Sequence, residues 1–589
     1  MRETKKMTQP NWISRLLLAT VAALLLASTA YAATPGIAGA AGSPVFNLTA
    51  QAAYLNMPDG EAVYSWGYGC NGTATFAATL GGVSFPNASC PTMQVPGPTL
   101  IVHEGDSVTV NLSNGLPTAA GNASILFPGF KVTSPPFGTG VGVAGLLAQE
   151  AVPAGTVTYI FTASAPGTHA YYSGTQGDLQ IEMGLYGAIV VLPTHVPANC
   201  TTGYHASNLT AEGHWGESDF RLSQAAYDHP GSCYDREYLF QWAEMDPRIH
   251  KQALAEVADP VRVAACAATT ATKPGCSLDV QTEPYHPAYF LINGRSMPDL
   301  MDPNYAAEYP HQPYNGNPHM HPGELTLIRT IGQGRWQHPF HEHANHVRIL
   351  ARDGNLVLSS SPTPMSYNTP GGTAASGPPL AGTLMFNTDT TPGQAFDGIF
   401  YFTGRGLNWD PYGHHPGDTS DPLASLSCTP DANGYNTGAP TAINYFEWCQ
   451  DHNKPVQVNP FGDVAAGGPV TLPDSNVFTN GAWYGGTAYL GPDASLRATM
   501  ETCVGNPYGA TPGNPTTLSG GAGTPAVNTA NCTTLLPSNV QANPANERGW
   551  AFMWHSHNER EITTNNVFPG GMLMMLLVDS REFVIDESM

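Results

Sequence analysis

Apolar residues in this chain come in short runs rather than long stretches: Thr99-Leu100-Ile101-Val102, Ser107-Val108-Thr109-Val110-Asn111, Ala188-Ile189-Val190-Val191-Leu192. The second alternates strictly, as a half-buried strand does, and the third is apolar throughout, as a strand covered on both faces is. Gly, Pro and Asn break the runs at short intervals. A 3.6-residue period shows only from Ile249 to Val257, which predicts one brief helix. The pattern as a whole predicts an all-β sandwich.

The pattern also repeats. Val102-His103-Glu104-Gly105-Asp106-Ser107-Val108-Thr109 returns 218 residues later as Met320-His321-Pro322-Gly323-Glu324-Leu325-Thr326-Leu327. Tyr171-Tyr172-Ser173-Gly174, leading to an apolar run from Gly184, corresponds to Trp554-His555-Ser556-His557, leading to a run from Gly570. Two copies of one β unit are therefore expected, at 45–195 and 230–580. A stretch at about 405–545, rich in Gly, Pro, Asn and Thr and holding four cysteines, reads as a disulfide-stapled insertion in the second unit.

Arg2, Lys5, Lys6 and Arg15, then an apolar stretch from Leu16 to Ala27 and the small-x-small pattern Ala30-Tyr31-Ala32, have the layout of a signal peptide at 1–32. No later segment has the length and apolarity of a membrane span. The expected address is secreted, periplasmic or at the cell surface, with no membrane attachment after cleavage. Ten cysteines fit disulfides there, and pairing in sequence order is the simplest arrangement. The formal net charge is −23. Such an acidic surface repels nucleic acid and attracts cations. No Gly-x-Ser-x-Gly elbow, phosphate loop or dinucleotide fingerprint stands out, so hydrolase and nicotinamide chemistry have little support.

The chemistry lies in two histidine clusters, His338-Pro339-Phe340-His341-Glu342-His343-Ala344-Asn345-His346 and His555-Ser556-His557. Alternation along a strand sends His341 and His343 to one face, and likewise His555 and His557. Imidazole donors suit copper or zinc better than magnesium or calcium, and copper is favoured. Glu342, Glu559 and Glu561 flank the clusters and could orient imidazoles or move protons.

With these motifs the chain resembles the multicopper oxidases, in a divergent bacterial branch. Val95-Pro96-Gly97-Pro98 and the strands after it resemble the opening of that family's first cupredoxin domain, and Gly167-Thr168-His169-Ala170-Tyr171-Tyr172 its close. Phe290-Leu291-Ile292-Asn293-Gly294-Arg295, His338-Pro339-Phe340-His341-Glu342-His343 and Trp554-His555-Ser556-His557 resemble its later copper motifs. The resemblance implies two cupredoxin-like Greek-key sandwiches and copper held among His338, His341, His343, His346, His555 and His557.

The departures are specific. Leu126-Phe127-Pro128-Gly129 and Tyr172-Ser173-Gly174 stand where the family's first domain supplies histidine pairs to a trinuclear centre. Ser556 stands where the family has the cysteine that binds type 1 copper and relays electrons, Glu561 falls at a type 1 histidine position, and His346 comes one residue late. Full four-electron reduction of oxygen is therefore not expected. Two readings remain: a copper-dependent oxidoreductase acting on a small reductant or metal ion, with Glu559 and Glu561 as its acid–base candidates, or a non-catalytic cupredoxin scaffold for copper sequestration, surface assembly or adhesion. Oligomeric state is not legible in the sequence.

Overall fold

The computed structural model describes residues 34–202, 218–267, 277–402 and 549–579 apart from short breaks, with isolated pieces near 428–436, 448–449, 486–489 and at 585 and 587. The signal-like segment and most of the 405–545 stretch, including His414 and His415, lie outside the described residues.

As expected, the fold is all-β with few helices. In the N-terminal half, β1 (Val45–Asn56), β2 (Ala62–Cys70), β3 (Leu100–His103), β4 (Ser107–Asn114), β5 (Thr156–Thr162), β6 (Gly167–Tyr172) and β7 (Tyr186–Leu192) form two facing sheets. Alternation along β4 turns Val108, Val110 and Leu112 inward, where they meet Leu100, Tyr171, Ile189 and Val191 of the other sheet. These side chains are almost fully buried, each stabilising the fold by roughly 1.5–3 kcal/mol relative to exposure.

The C-terminal half contains β8 (Arg236–Met245), helix α1 (Pro247–Ala258), β9 (Tyr289–Ile292), β10 (His319–Met320), β11 (Thr326–Gly332), β12 (His338–Glu342), β13 (Val347–Arg352), β14 (Asn387–Thr390), β15 (Ala395–Phe400), β16 (Gly549–Ser556) and β17 (Leu573–Asp579). The predicted helix is α1; Asp246 caps it by accepting from the Arg248 amide, and Pro247 opens its first turn. One sheet runs β9-β8-β11-β15-β13 and the other β10-β17-β16-β12-β14. Their shared core holds Tyr238, Phe240, Trp242, Phe340, Trp554, Met572 and Met574.

The sequence repeat has a counterpart in strand pairing. β1 runs parallel to β4 and β4 antiparallel to β5; β8 runs parallel to β11 and β11 antiparallel to β15. Likewise β3 is parallel to β7 and β7 antiparallel to β6, while β10 is parallel to β17 and β17 antiparallel to β16. The halves touch through Ala170, Ala188, Leu239, Ile331 and Ala395, and the Thr168 hydroxyl donates to Asp397 at 2.6 Å. Among the described residues, the disulfides Cys70–Cys90, Cys200–Cys233 and Cys428–Cys449 follow sequence order.

Candidate metal centre

β12 and β16 pair antiparallel with Phe340 opposite Ser556, His341 opposite His555 and Glu342 opposite Trp554. Directly opposed residues share a face. The register therefore divides the motifs into two layers: His341, His343, His555 and His557 on the outer face, and His338, Phe340, Glu342, Trp554 and Ser556 on the face toward the core. Trp554 and Phe340, both fully buried, anchor the inner layer and hold the strands in this register.

On the outer face, ligand-capable atoms of His341, His343 and His555 lie within 4.8 Å of one another. The Nε2 atoms of His343 and His555 are 3.1 Å apart. His557 is exposed and joins through its ring, 4.8 Å from that of His341. Backbone carbonyls fix two of the tautomers: His341 Nδ1 donates to the Phe386 carbonyl at 2.6 Å and His555 Nδ1 to that of Ser556 at 2.7 Å. Each keeps its Nε2 lone pair for a ligand, the arrangement expected of metal-binding histidines. Burial, then the neighbouring His555, lower the pKa of His341 to about 4, and burial lowers that of His555. Both are therefore neutral near pH 7, the form a metal requires. The donor set fits a borderline-soft ion such as Cu or Zn.

His338 does not join them. It lies in the inner layer, fully buried, with Nε2 2.8 Å from Glu244 and Nδ1 2.8 Å from Glu561. Both ring nitrogens are engaged by carboxylates, which removes His338 from the expected ligand set. Burial alone would lower its pKa, but the hydrogen bonds and charges of Glu244 and Glu561 prevail and raise it to about 9. His346 also stands apart: half-buried, its ring packs on Phe386 at 5.1 Å, while His341 packs on Phe386 at 5.8 Å. Among the described ring contacts none joins His346 to the outer four histidines.

The acids separate as well. Glu559 is exposed near His555. Glu561 is buried, accepts from the Ser556 hydroxyl at 2.5 Å and takes the Asn558 amide at 2.9 Å. Glu342 points into the core, where burial raises its pKa and Thr388 donates to one of its oxygens. Glu244 belongs to this polar core but was not among the sequence candidates. It lies nearly a hundred residues from His338, in a strand that also carries Arg236, Glu237 and Gln241, so no local pattern singles it out.

The N-terminal half repeats the geometry without the chemistry. Leu126 bridges Tyr172 as His341 pairs with His555, so a leucine and a tyrosine stand at the matching register.

Residues 89–195 match the family model described as multicopper oxidase. Over this segment the chain resembles the multicopper oxidases. L-ascorbate oxidase of Brassica rapa subsp. pekinensis is 37% identical over 98 residues, 17% of this chain and 16% of that one. Laccase abr2 of Aspergillus fumigatus is 33% identical over 100 residues, 17% and 16% of the two chains. The match thus spans about a sixth of the length of these curated relatives. Among solved structures, multicopper oxidase mgLAC superposes over 60% of this chain and 74% of its own at a TM-score of 0.34 and 16% identity, too loosely to support an argument. The matched segment lies in the half that carries Leu126 and Tyr172, while the histidine cluster lies outside it.

Proposed function

We propose that this chain is an exported copper protein with oxidoreductase activity, in which His341, His343 and His555 hold one copper ion and His557 borders its open side. The observation that carries the reading is the convergence of three imidazoles on paired strands, two of them with Nε2 left available by backbone carbonyls at Nδ1. Bound copper supplies a one-electron couple that suits a small reductant or a metal-ion substrate. The chain's own residues do the rest. Phe386 and Ser556 orient imidazoles through their carbonyls, and the low pKa of His341 keeps protons from competing for its donor nitrogen. Glu559, exposed beside His555, is placed to attract a cationic substrate. We further propose a division into units at 45–195 and 230–580, the first a packing partner without metal.

The second reading, a non-catalytic copper-holding scaffold, draws on the Leu126–Tyr172 pair and on His338 being engaged by carboxylates. One experiment addresses both. The purified protein is loaded with copper, dialysed and assayed for metal content, visible absorption and oxidation of a small reductant. The proposal expects about one tightly held copper per chain, no intense thiolate-to-copper band because Ser556 occupies the motif, and measurable turnover. Copper without turnover supports the scaffold, and no copper overturns both.

A further inference from the structure

Beneath the histidine cluster runs a chain of hydrogen-bonded ionisable side chains that metal binding leaves unused. The Tyr285 hydroxyl lies 2.6 Å from Glu182 and 3.1 Å from Glu244. The other Glu244 oxygen meets His338 Nε2, His338 Nδ1 meets Glu561, and Glu561 accepts from Ser556 and from the exposed Asn558. Glu182, Glu244, His338, Ser556 and Glu561 are all at most 2% exposed. Tyr285 is half-buried under the Arg335 guanidinium, 4.2 Å above its ring.

We propose that Glu244, His338 and Glu561 form a buried proton store whose outlet is Asn558, beside His557, and that Glu561 is the proton-transfer residue for an oxygen-donor ligand held at the histidine cluster.

Geometry and charge support this. A structural ion pair needs one carboxylate for one cation, yet here the single imidazole of His338 meets two carboxylates, Glu244 and Glu561. Unpaired buried charge is costly, so protons are retained. Around His338 the facing groups are Glu244 on β8, Glu561 with Ser556 on and after β16, and the Trp242 ring at 6.5 Å. Beyond Glu244 come Tyr285, Glu182 with His250 at 3.6 Å, and Arg335, whose backbone amide donates to Glu244. Burial raises the pKa of Glu182, so that end also favours a bound proton.

The outlet is short. Asn558 is exposed, and its side-chain amide covers the second oxygen of Glu561. In the transfer, the Nδ1–H bond of the His338 imidazolium breaks as an O–H bond forms on Glu561. The Glu561 acid then releases that proton to a basic oxygen at the mouth when Asn558 swings aside. His338 is left neutral, its Nε2–H still donated to Glu244, and the reverse path refills it. Where the family relay would carry electrons through a cysteine, Ser556 instead hydrogen-bonds to the proton donor.

The transfer role rests on the copper-site reading, but the store is testable without metal. In metal-free protein labelled with 15N-histidine, His338 is expected to carry protons on both ring nitrogens at pH 7. Asn558→Ala should speed exchange of its Nδ1 proton with solvent, and Glu561→Gln should slow it by at least about tenfold. A neutral His338 at pH 7, or equal exchange in wild type and Asn558→Ala, overturns the proposal. Should Glu561→Gln fail to fold, Asn558→Ala alone decides, because its side chain lies on the surface. Copper content is measured on the same proteins. Wild type and Glu561→Gln should match, and if neither takes up copper the cluster reading falls while the exchange result still judges the store.

Discussion

At the scale of single residues, orientation on β12 separates functions that the linear motif runs together. His338, His341 and His343 lie within six positions, yet His341 keeps its donor nitrogen free at a pKa of about 4 while His338 holds its protons to about 9. The His338 shift has a stability consequence. Its folded pKa is raised above the ordinary 6.5, so the stabilisation is complete below that value and lost as pH rises through about 9. Melting temperature should fall across pH 6.5–9, reflecting up to about 3 kcal/mol, and His338→Gln should flatten that limb. A wild-type profile identical to that of the variant would remove the imidazolium from the account. The sequence revealed the outer histidines because His-x-His has a definite meaning on a strand. It concealed the role of His338 because Glu244 and Glu561 reach it only through the tertiary fold.

At the scale of elements, the register of β12 on β16 and the turn after β16 create the site. That turn returns through Gly571, whose φ is +62° and where a Cβ would lie 2.1 Å from the Glu561 carbonyl oxygen. Gly571→Ala should destabilise the protein by more than about 1 kcal/mol in chemical denaturation. The same change should displace Glu561 and lower the pKa of His338, read by 15N shifts, since one of its two carboxylates moves away. Unchanged stability and shifts would show the turn to be adaptable. Strand positions were largely legible here: the alternation over Ser107–Asn111 and the helix from Ile249 to Val257 both appear, the helix only a little longer than read. His319 and His321 are both fully buried, with β10 joined in parallel to β17. The parallel pairing joins His319 to Leu577, 258 residues on, which no local pattern encodes.

At the scale of the molecule, the two halves share one order of strand pairing but differ at the position that matters for metal. Leu126 faces Tyr172 in one half and His341 faces His555 in the other. The similarity to multicopper oxidases lies in the half without the histidine cluster, so any metal chemistry must be judged from the other half's own side chains. The most direct test is the double variant His341→Ala, His555→Ala, which removes one donor from each strand, assayed for copper content after loading alongside circular dichroism and secretion. The account predicts a folded, exported protein that has lost nearly all the copper held by wild type, because the two remaining imidazoles cannot outcompete water and buffer. Full copper retention in that variant would place the metal elsewhere and contradict the account.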